Sequence, residues 1–517
     1  MKKILTPNKI TLNEIFQMMP DQEIEFSKEV CLQVEHSEKN FHRFLTKNIP
    51  IYGVTTGFGD SCHRSVQRED AEILQDNLIS YLLMGTGKNL SKEVSSSILL
   101  FRIISLSRGL SGISLELLNK MKELYNKKIF PIIPREGSLG ASGDLIPLAY
   151  LAHLVRGQGR VFYQNTEYEM EEIVAKGIYL PYTFKPKEGL AIVNGTSAML
   201  GLCFHNLKLA KFLTELAILS SSWLCLTIQG RTEAFGSLVN EKAKSFVGQK
   251  IVAKKIWQLL EAENYKVISY KEIAQKNHHT THLVQDPYSL RCTPQVIGPI
   301  CDTLELLESW LEIELNSVSD NPLFDGQEEI ANGGNFYGGH LAHSMDYLKI
   351  CLANLADLMD RQLTLLISEK TNRGLTPNLA DWEGLPASKR HLSHGLKAVH
   401  QNVSAITSDI MSKAIPNSIF SRSSESHNQD KISLGMTAAV QCSEQLDLMV
   451  SLVSCYLCCL SQAIDLRKIN LQHTLSQKIY QVVRQNISFV KRDQRLDLGI
   501  ESLRQHLLSL SKEPFFI

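Results

Sequence analysis

From Met345 onward the apolar residues Leu348, Leu352, Leu355, Met359, Leu363 and Leu366 recur in steps of three and four. Only a helix brings such positions onto one face, so this pattern commits the stretch to a long rod with a buried stripe. The same period runs through 200–226, 296–315, 399–414 and 435–464, while alternating, strand-like runs are short and rare. The expected fold is therefore dominated by α-helix. Glycine, proline and asparagine gather around 52–60, 131–143, 188–195, 320–339 and 371–386, which read as loops between rods.

The uncharged stretch 448–464, between Asp447 and Asp465, contains Ser451, Ser454, Ser461 and Gln462. It falls short of the ~20 apolar residues of a membrane span, and a helix buried on all sides within a bundle is expected instead. Cys455, Cys458 and Cys459 in it read as core filling.

Lys plus Arg and Asp plus Glu both number 54. Such balance provides no overall field for nucleic acid or an anionic membrane and points to a small-molecule partner. The 11 cysteines are scattered without a disulfide framework, which suits reduced thiols in a cytoplasm. After Met1-Lys2-Lys3 no apolar signal core builds up, so no export is expected. His278, His279 and His282 offer an i, i+4 imidazole pair but no third ligand by local spacing, and no metal is expected.

Residues 137–145 read Gly-Ser-Leu-Gly-Ala-Ser-Gly-Asp-Leu. A phosphate cradle would need a Gly-x-x-x-x-Gly-Lys arrangement, which is absent here. The tripeptide Ala141-Ser142-Gly143 has another capacity: if the Gly143 nitrogen attacks the Ala141 carbonyl and two waters leave, the backbone becomes a 4-methylidene-imidazol-5-one (MIO), an electrophile that accepts amines. Glycine suits the close approach, and serine supplies the exocyclic methylene. Further segments carry chemical side chains in a fixed order. They are Tyr52-Gly53-Val54-Thr55-Thr56-Gly57-Phe58-Gly59, Glu188 to Thr196 with Asn194, Gln285-Asp286-Pro287-Tyr288-Ser289-Leu290-Arg291-Cys292, Asn316 to Leu323 with Asn321, Gly333-Gly334-Asn335-Phe336, and His427-Asn428-Gln429-Asp430.

In these segments the chain resembles the aromatic amino acid ammonia-lyases, the family of the histidine, phenylalanine and tyrosine lyases and the related aminomutases. The resemblance implies a long central helical bundle at 201–517 and a smaller mixed N-terminal portion at 1–200 that carries the prosthetic-group loop. It also implies a homotetramer whose sites combine loops of several subunits. It makes Ala141, Ser142 and Gly143 the source of the MIO group, with no external cofactor, and Tyr52 the base for the β-proton. A tyrosine titrates near ~10 unless positive potential helps it, for which helix N-termini are the expected source. Arg291 would clamp the carboxylate by paired charged hydrogen bonds, with Tyr288 and Gln285 beside it. Asn194 would contact the ring or carboxylate, and Asn321 and Phe336 would lie near the prosthetic group.

Substrate choice rests on two departures. Histidine lyases carry a glutamate where Gln429 falls, whereas His-Asn-Gln-Asp resembles the phenylalanine and tyrosine lyases, and a neutral amide suits a neutral ring. At Tyr81-Leu82, phenylalanine lyases usually have Phe-Leu, tyrosine lyases His-Leu and histidine lyases Ser-His. Leu82 thus also speaks against histidine, while the Tyr81 hydroxyl could bond a phenol or crowd it. Tyr337 reads as structural. The resemblance implies release of coumarate or cinnamate from tyrosine or phenylalanine, with aromatic 2,3-aminomutase, histidine lyase and a non-catalytic helical scaffold as alternatives. Whether the substrate amine or its ring attacks first is open at this level.

Overall fold

The computed structural model of the chain describes residues 2–18, 22–47, 49–265, 285–325 and 329–513. Helices Ser197–Thr227, Thr293–Leu315, Gly339–Ile367, Lys397–Ser412 and Gly435–Leu466 stand where the hydrophobic period predicts them. Strand is confined to short pairs and one three-stranded sheet among the described residues. His278, His279 and His282 lie outside the described residues.

The chain divides into two compact units, neither continuous in sequence. The first comprises Met1–Asn206, Leu307–Asp346 and Pro416–Cys442, and the second Leu207–Leu306, Tyr347–Ile415 and Ser443–Ile517. The single boundary expected near residue 200 differs from this partition, because 307–346 and 416–442 return to the first unit.

In the first unit, serine caps open the helices Lys28–Thr46, Lys92–Ser107 and Leu115–Asn126: Ser27, Ser91 and Ser114 accept from the amides of Val30, Val94 and Leu117. Each satisfies an amide that the helix itself leaves unpaired. Phe41, Phe44, Ile51, Val54 and Phe324 form a buried cluster. Ile51 and Val54 are fully buried, so the glycine-rich segment that carries Tyr52 is nailed to this core on both sides of the tyrosine. One expected loop proves to be a helix. Glu188–Val193 is helical and entirely buried, and Gly189 within it serves packing rather than a turn: a Cβ there would sit 3.0 Å from Cβ of Gln75.

The second unit is organised around a buried amide. Gln362 donates to Ser221 Oγ (3.0 Å), the Ser289 carbonyl (3.0 Å) and Thr293 Oγ1 (3.2 Å), and accepts from the Tyr456 hydroxyl (3.2 Å). Residues from four segments are thereby tied at one point, since a buried amide left unpaired is costly. Cys455, Cys458 and Cys459 pack in the core. Each of the 11 cysteines is a free thiol. Ser197–Thr227 and Gly435–Leu466 are long and apolar enough to cross a membrane, yet 83% of the apolar window of each is buried inside the protein, as in core helices.

Candidate active site

Ala141-Ser142-Gly143 lies between the strand Pro134–Glu136 and the helix Leu145–Val155. Gly143 adopts φ +72°, and a Cβ there would sit 2.2 Å from the Gly195 carbonyl oxygen and 2.6 Å from its carbon. No other residue fits against Gly195 in that conformation. The next residue fastens the segment. The Asp144 amide donates to Gly195 O (2.7 Å), while its fully buried carboxylate accepts from the Ser138 hydroxyl (2.8 Å) and from the Met199 amide (2.6 Å) in the first turn of Ser197–Thr227. Burial pushes the Asp144 carboxyl up to about 7, opposed by those donors. The chemistry of this segment fits a backbone-derived MIO: a small first residue, a serine whose hydroxyl accepts from Gln429 Nε2 (3.3 Å), and a glycine in close contact with another main chain.

A cavity of about 250 Å³ opens over it, and Tyr52, Tyr81, Leu82, Asn194 and Gln429 join Ala141, Ser142 and Gly143 in its wall. Asn194 is buried, and its Oδ1 has no hydrogen-bond partner. Such an acceptor at a cavity wall awaits a donor on a ligand. The wall also holds Phe58, Leu139 and Glu425, which sequence reasoning did not single out. Glu425 accepts from the Asp60 amide (2.9 Å) and from Asn428 Nδ2 (2.6 Å), joining the tyrosine segment to 424–429. Its one legible signal was its place four residues before Gln429.

The Tyr52 hydroxyl oxygen accepts from the Gly59 amide (2.8 Å), and its ring meets Phe58 edge-on. Gln75 braces the segment: its Nε2 donates to Gly53 O (2.9 Å), and its Oε1 accepts from the Leu190 amide (2.9 Å). The expectation of a lowered tyrosine pKa is corrected here. Burial raises the Tyr52 phenol, the Gly59 amide opposes that rise, and Glu425 adds to it.

Other expected site residues are not part of this wall. Asn428 is exposed and serves Glu425. Asn321 is buried and accepts from the Gly333 amide (2.8 Å), and Phe336 is half-buried in the turn Asn335–Tyr337. The Tyr337 hydroxyl donates to Ile432 O (3.3 Å). Gln285, Tyr288 and Arg291 belong to the second unit, and none is in the cavity wall. Their segment is anchored by Asp286, which accepts from the Arg231 amide (2.6 Å) and pairs with Arg373. Arg291 stacks over Tyr288 at 4.5 Å, Tyr288 is 72% exposed, and the Arg291 Nε has no partner. No group of three or more His, Cys, Asp or Glu able to hold a metal occurs among the described residues.

Residues 10–485 match the family model described as aromatic amino acid lyase. The histidine ammonia-lyase of Caldanaerobacter subterraneus subsp. tengcongensis is 32% identical over 97% of this chain and 95% of its own. Among solved structures, the Pantoea agglomerans phenylalanine aminomutase superposes with a TM-score of 0.92 at 31% identity, covering 100% of both chains. The tyrosine aminomutase of Streptomyces globisporus does so with a TM-score of 0.92 at 27% identity, over 99% of this chain and 97% of that one.

Proposed function

Because the chain belongs to the aromatic amino acid lyase family and is a carbon–nitrogen lyase, we propose that it eliminates ammonia from L-tyrosine or L-phenylalanine, giving trans-coumarate or trans-cinnamate. The observation that carries this reading is the neutral wall of Leu82 and Gln429. Glu425, the one carboxylate in that wall among the described residues, already accepts from the Asp60 amide and from Asn428 Nδ2.

An MIO condensed from Ala141, Ser142 and Gly143 supplies the electrophile. Asn194 Oδ1 receives the substrate ammonium, Tyr52 takes the β-proton, and Gln429 and Leu82 border the ring. The carboxylate clamp comes from a second copy in a homotetramer. Supporting this, Arg291 has an unpartnered Nε and stacks on an exposed Tyr288, both absent from the wall that holds Tyr52. Free thiols throughout support action in the cytoplasm.

Two further readings have specific support: histidine as substrate, from the histidine ammonia-lyase relative, and aminomutase activity, from the two aminomutase structures. Purified protein incubated separately with tyrosine, phenylalanine and histidine decides among them, with the product identified by mass spectrometry. Coumarate or cinnamate is expected. Urocanate as the main product would establish histidine, and a β-amino acid would establish the mutase.

A further inference from the structure

Behind the Ala141-Ser142-Gly143 segment lies a charged side chain that neither the cavity nor the proposed chemistry uses. Arg102 sits in the apolar run Leu99-Leu100-Phe101-Arg102-Ile103-Ile104 of the helix Lys92–Ser107, with no exposed surface. Three of its bonds serve main chain, Nε to Ala191 O (3.1 Å) and Nη2 to Asn194 O (2.8 Å) and to Ala191 O, while Nη1 approaches the Ser319 hydroxyl (3.4 Å). Both carbonyls close the C-terminal end of Glu188–Val193, where a helix concentrates negative potential. A neutral amide could satisfy a carbonyl at far lower desolvation cost than a buried cation. What a guanidinium adds is a rigid plane with several donors in fixed directions.

That plane bears on Gly195. A Cβ on Gly195 would sit 2.1 Å from Arg102 Nη1 and 2.8 Å from its Cζ, and a Cβ on Gly143 would sit 2.2 Å from Gly195 O. Guanidinium, Gly195 peptide and Gly143 backbone therefore touch in series, with no room for a methyl group at either glycine. Gly143 and Gly195 also form a parallel bridge, and the Asp144 amide donates to the same Gly195 oxygen.

We propose that Arg102 is the positioning residue that seats Ala141-Ser142-Gly143 for its own condensation, by locking the Gly195 peptide on which Gly143 rests. This inference depends on the MIO reading given above. In the condensation the Gly143 nitrogen bonds to the Ala141 carbonyl carbon. The carbonyl oxygen leaves as water with the amide hydrogens of Gly143 and Ser142, creating a C=N bond. A second water takes the Ser142 hydroxyl and the Ser142 Cα hydrogen, creating the exocyclic C=C bond. Electrons balance without an oxidant. Arg102 transfers no proton; it removes the freedom of the Gly195 peptide to yield when Gly143 closes on Ala141, and such preorganisation accelerates a ring closure.

The test measures intact mass and the near-ultraviolet absorbance of the ring in wild type, Arg102→Lys and Arg102→Met, each checked for folding by circular dichroism and gel filtration. Wild type should be lighter than its sequence by two waters. Folded Arg102→Met should carry the dehydrated mass only as a minority species, and Arg102→Lys, which keeps the charge but loses the planar fork, should dehydrate incompletely or slowly. A residue that merely supported the fold would lower the melting temperature and leave the mass deficit complete. Should Arg102→Met not fold, Arg102→Lys decides alone. Dehydration of either folded variant as complete and as fast as wild type would overturn the assignment, as would failure of both to fold. A wild type that has lost no water would instead defeat the MIO reading itself.

Discussion

Replacing Gln75 with leucine tests whether Tyr52, the proposed base, depends on this buried amide as a strut. The amide of Gln75 is fully buried and makes one bond to each of two elements, to Gly53 O and from the Leu190 amide, at 2.9 Å each. Leucine fills similar volume without either bond, leaving a buried carbonyl and a buried amide unpaired. At ~1–3 kcal/mol for each stranded group the variant should lose roughly 2–6 kcal/mol of stability. Gly53 follows Tyr52 directly, so the phenol should drift from its position, and misplacement of ~1 Å can cost about 10²-fold in rate. Urea unfolding gives the first quantity and steady-state kinetics the second, with kcat expected to fall and KM to change little. A Gln75→Leu enzyme within ~1 kcal/mol of wild type, at full kcat, would refute the strut.

Removing one partner of the fully buried Lys187–Asp320 pair (2.6 Å), by Lys187→Met, should cost ~3–5 kcal/mol in unfolding free energy, and Lys187→Met combined with Asp320→Leu should recover most of it. Co-expression of Tyr52→Phe with Arg291→Met, each inactive alone, should restore turnover in mixed assemblies if the two residues serve one site from different copies; a mixture as inactive as its parents would count against the shared site. Glu425→Gln removes a negative neighbour that raises Tyr52, so the rising limb of kcat/KM against pH should move to lower pH. A limb that stayed in place would show that Glu425 does not influence the base.

The long helices were legible because a core of helices imposes one apolar stripe on each, and a stripe survives in a single sequence. The site was legible where its chemistry is contiguous, as at Ala141-Ser142-Gly143 or Tyr52 to Gly59. What escaped was what the chain brings together from afar. Glu425 enters the cavity because 425–427 adopt positive φ inside the Ser424–Gln429 bridge, a conformation that Glu-Ser-His does not announce. Glu188–Val193 hides its helix because Gly189 weakens any helical pattern, although close packing on Gln75 is what requires it. No linker marks the units because four of their five borders fall within long helices, after Asn206, Leu306, Asp346 and Cys442, and only the one after Ile415 lies outside a helix. Arg102 and Gln75 did leave a trace, a polar side chain at a core position, which deserves the question of what it bonds to.

Tyr52, the base proposed above, depends on its electrostatic surroundings. A tyrosine asked to take a weakly acidic proton needs positive potential, yet the cavity wall contains no lysine, arginine or histidine among the described residues, only Glu425 and a second phenol, Tyr81. Burial, Glu425 and Cys62 raise the Tyr52 phenol, and the Gly59 amide opposes them. On the proposed mechanism the positive charge that binding adds is the substrate's own ammonium, whereas Arg291 of a second copy would already belong to the free assembly. A cation near the phenol favours its ionised form, so substrate binding itself lowers the pKa of the base. Since kcat/KM reports the free enzyme and kcat the bound complex, the rising limb of kcat should lie at lower pH than that of kcat/KM. If the two limbs coincide, the positive potential is already present in the free enzyme, and its source is a part of the assembly that touches Tyr52 before substrate arrives.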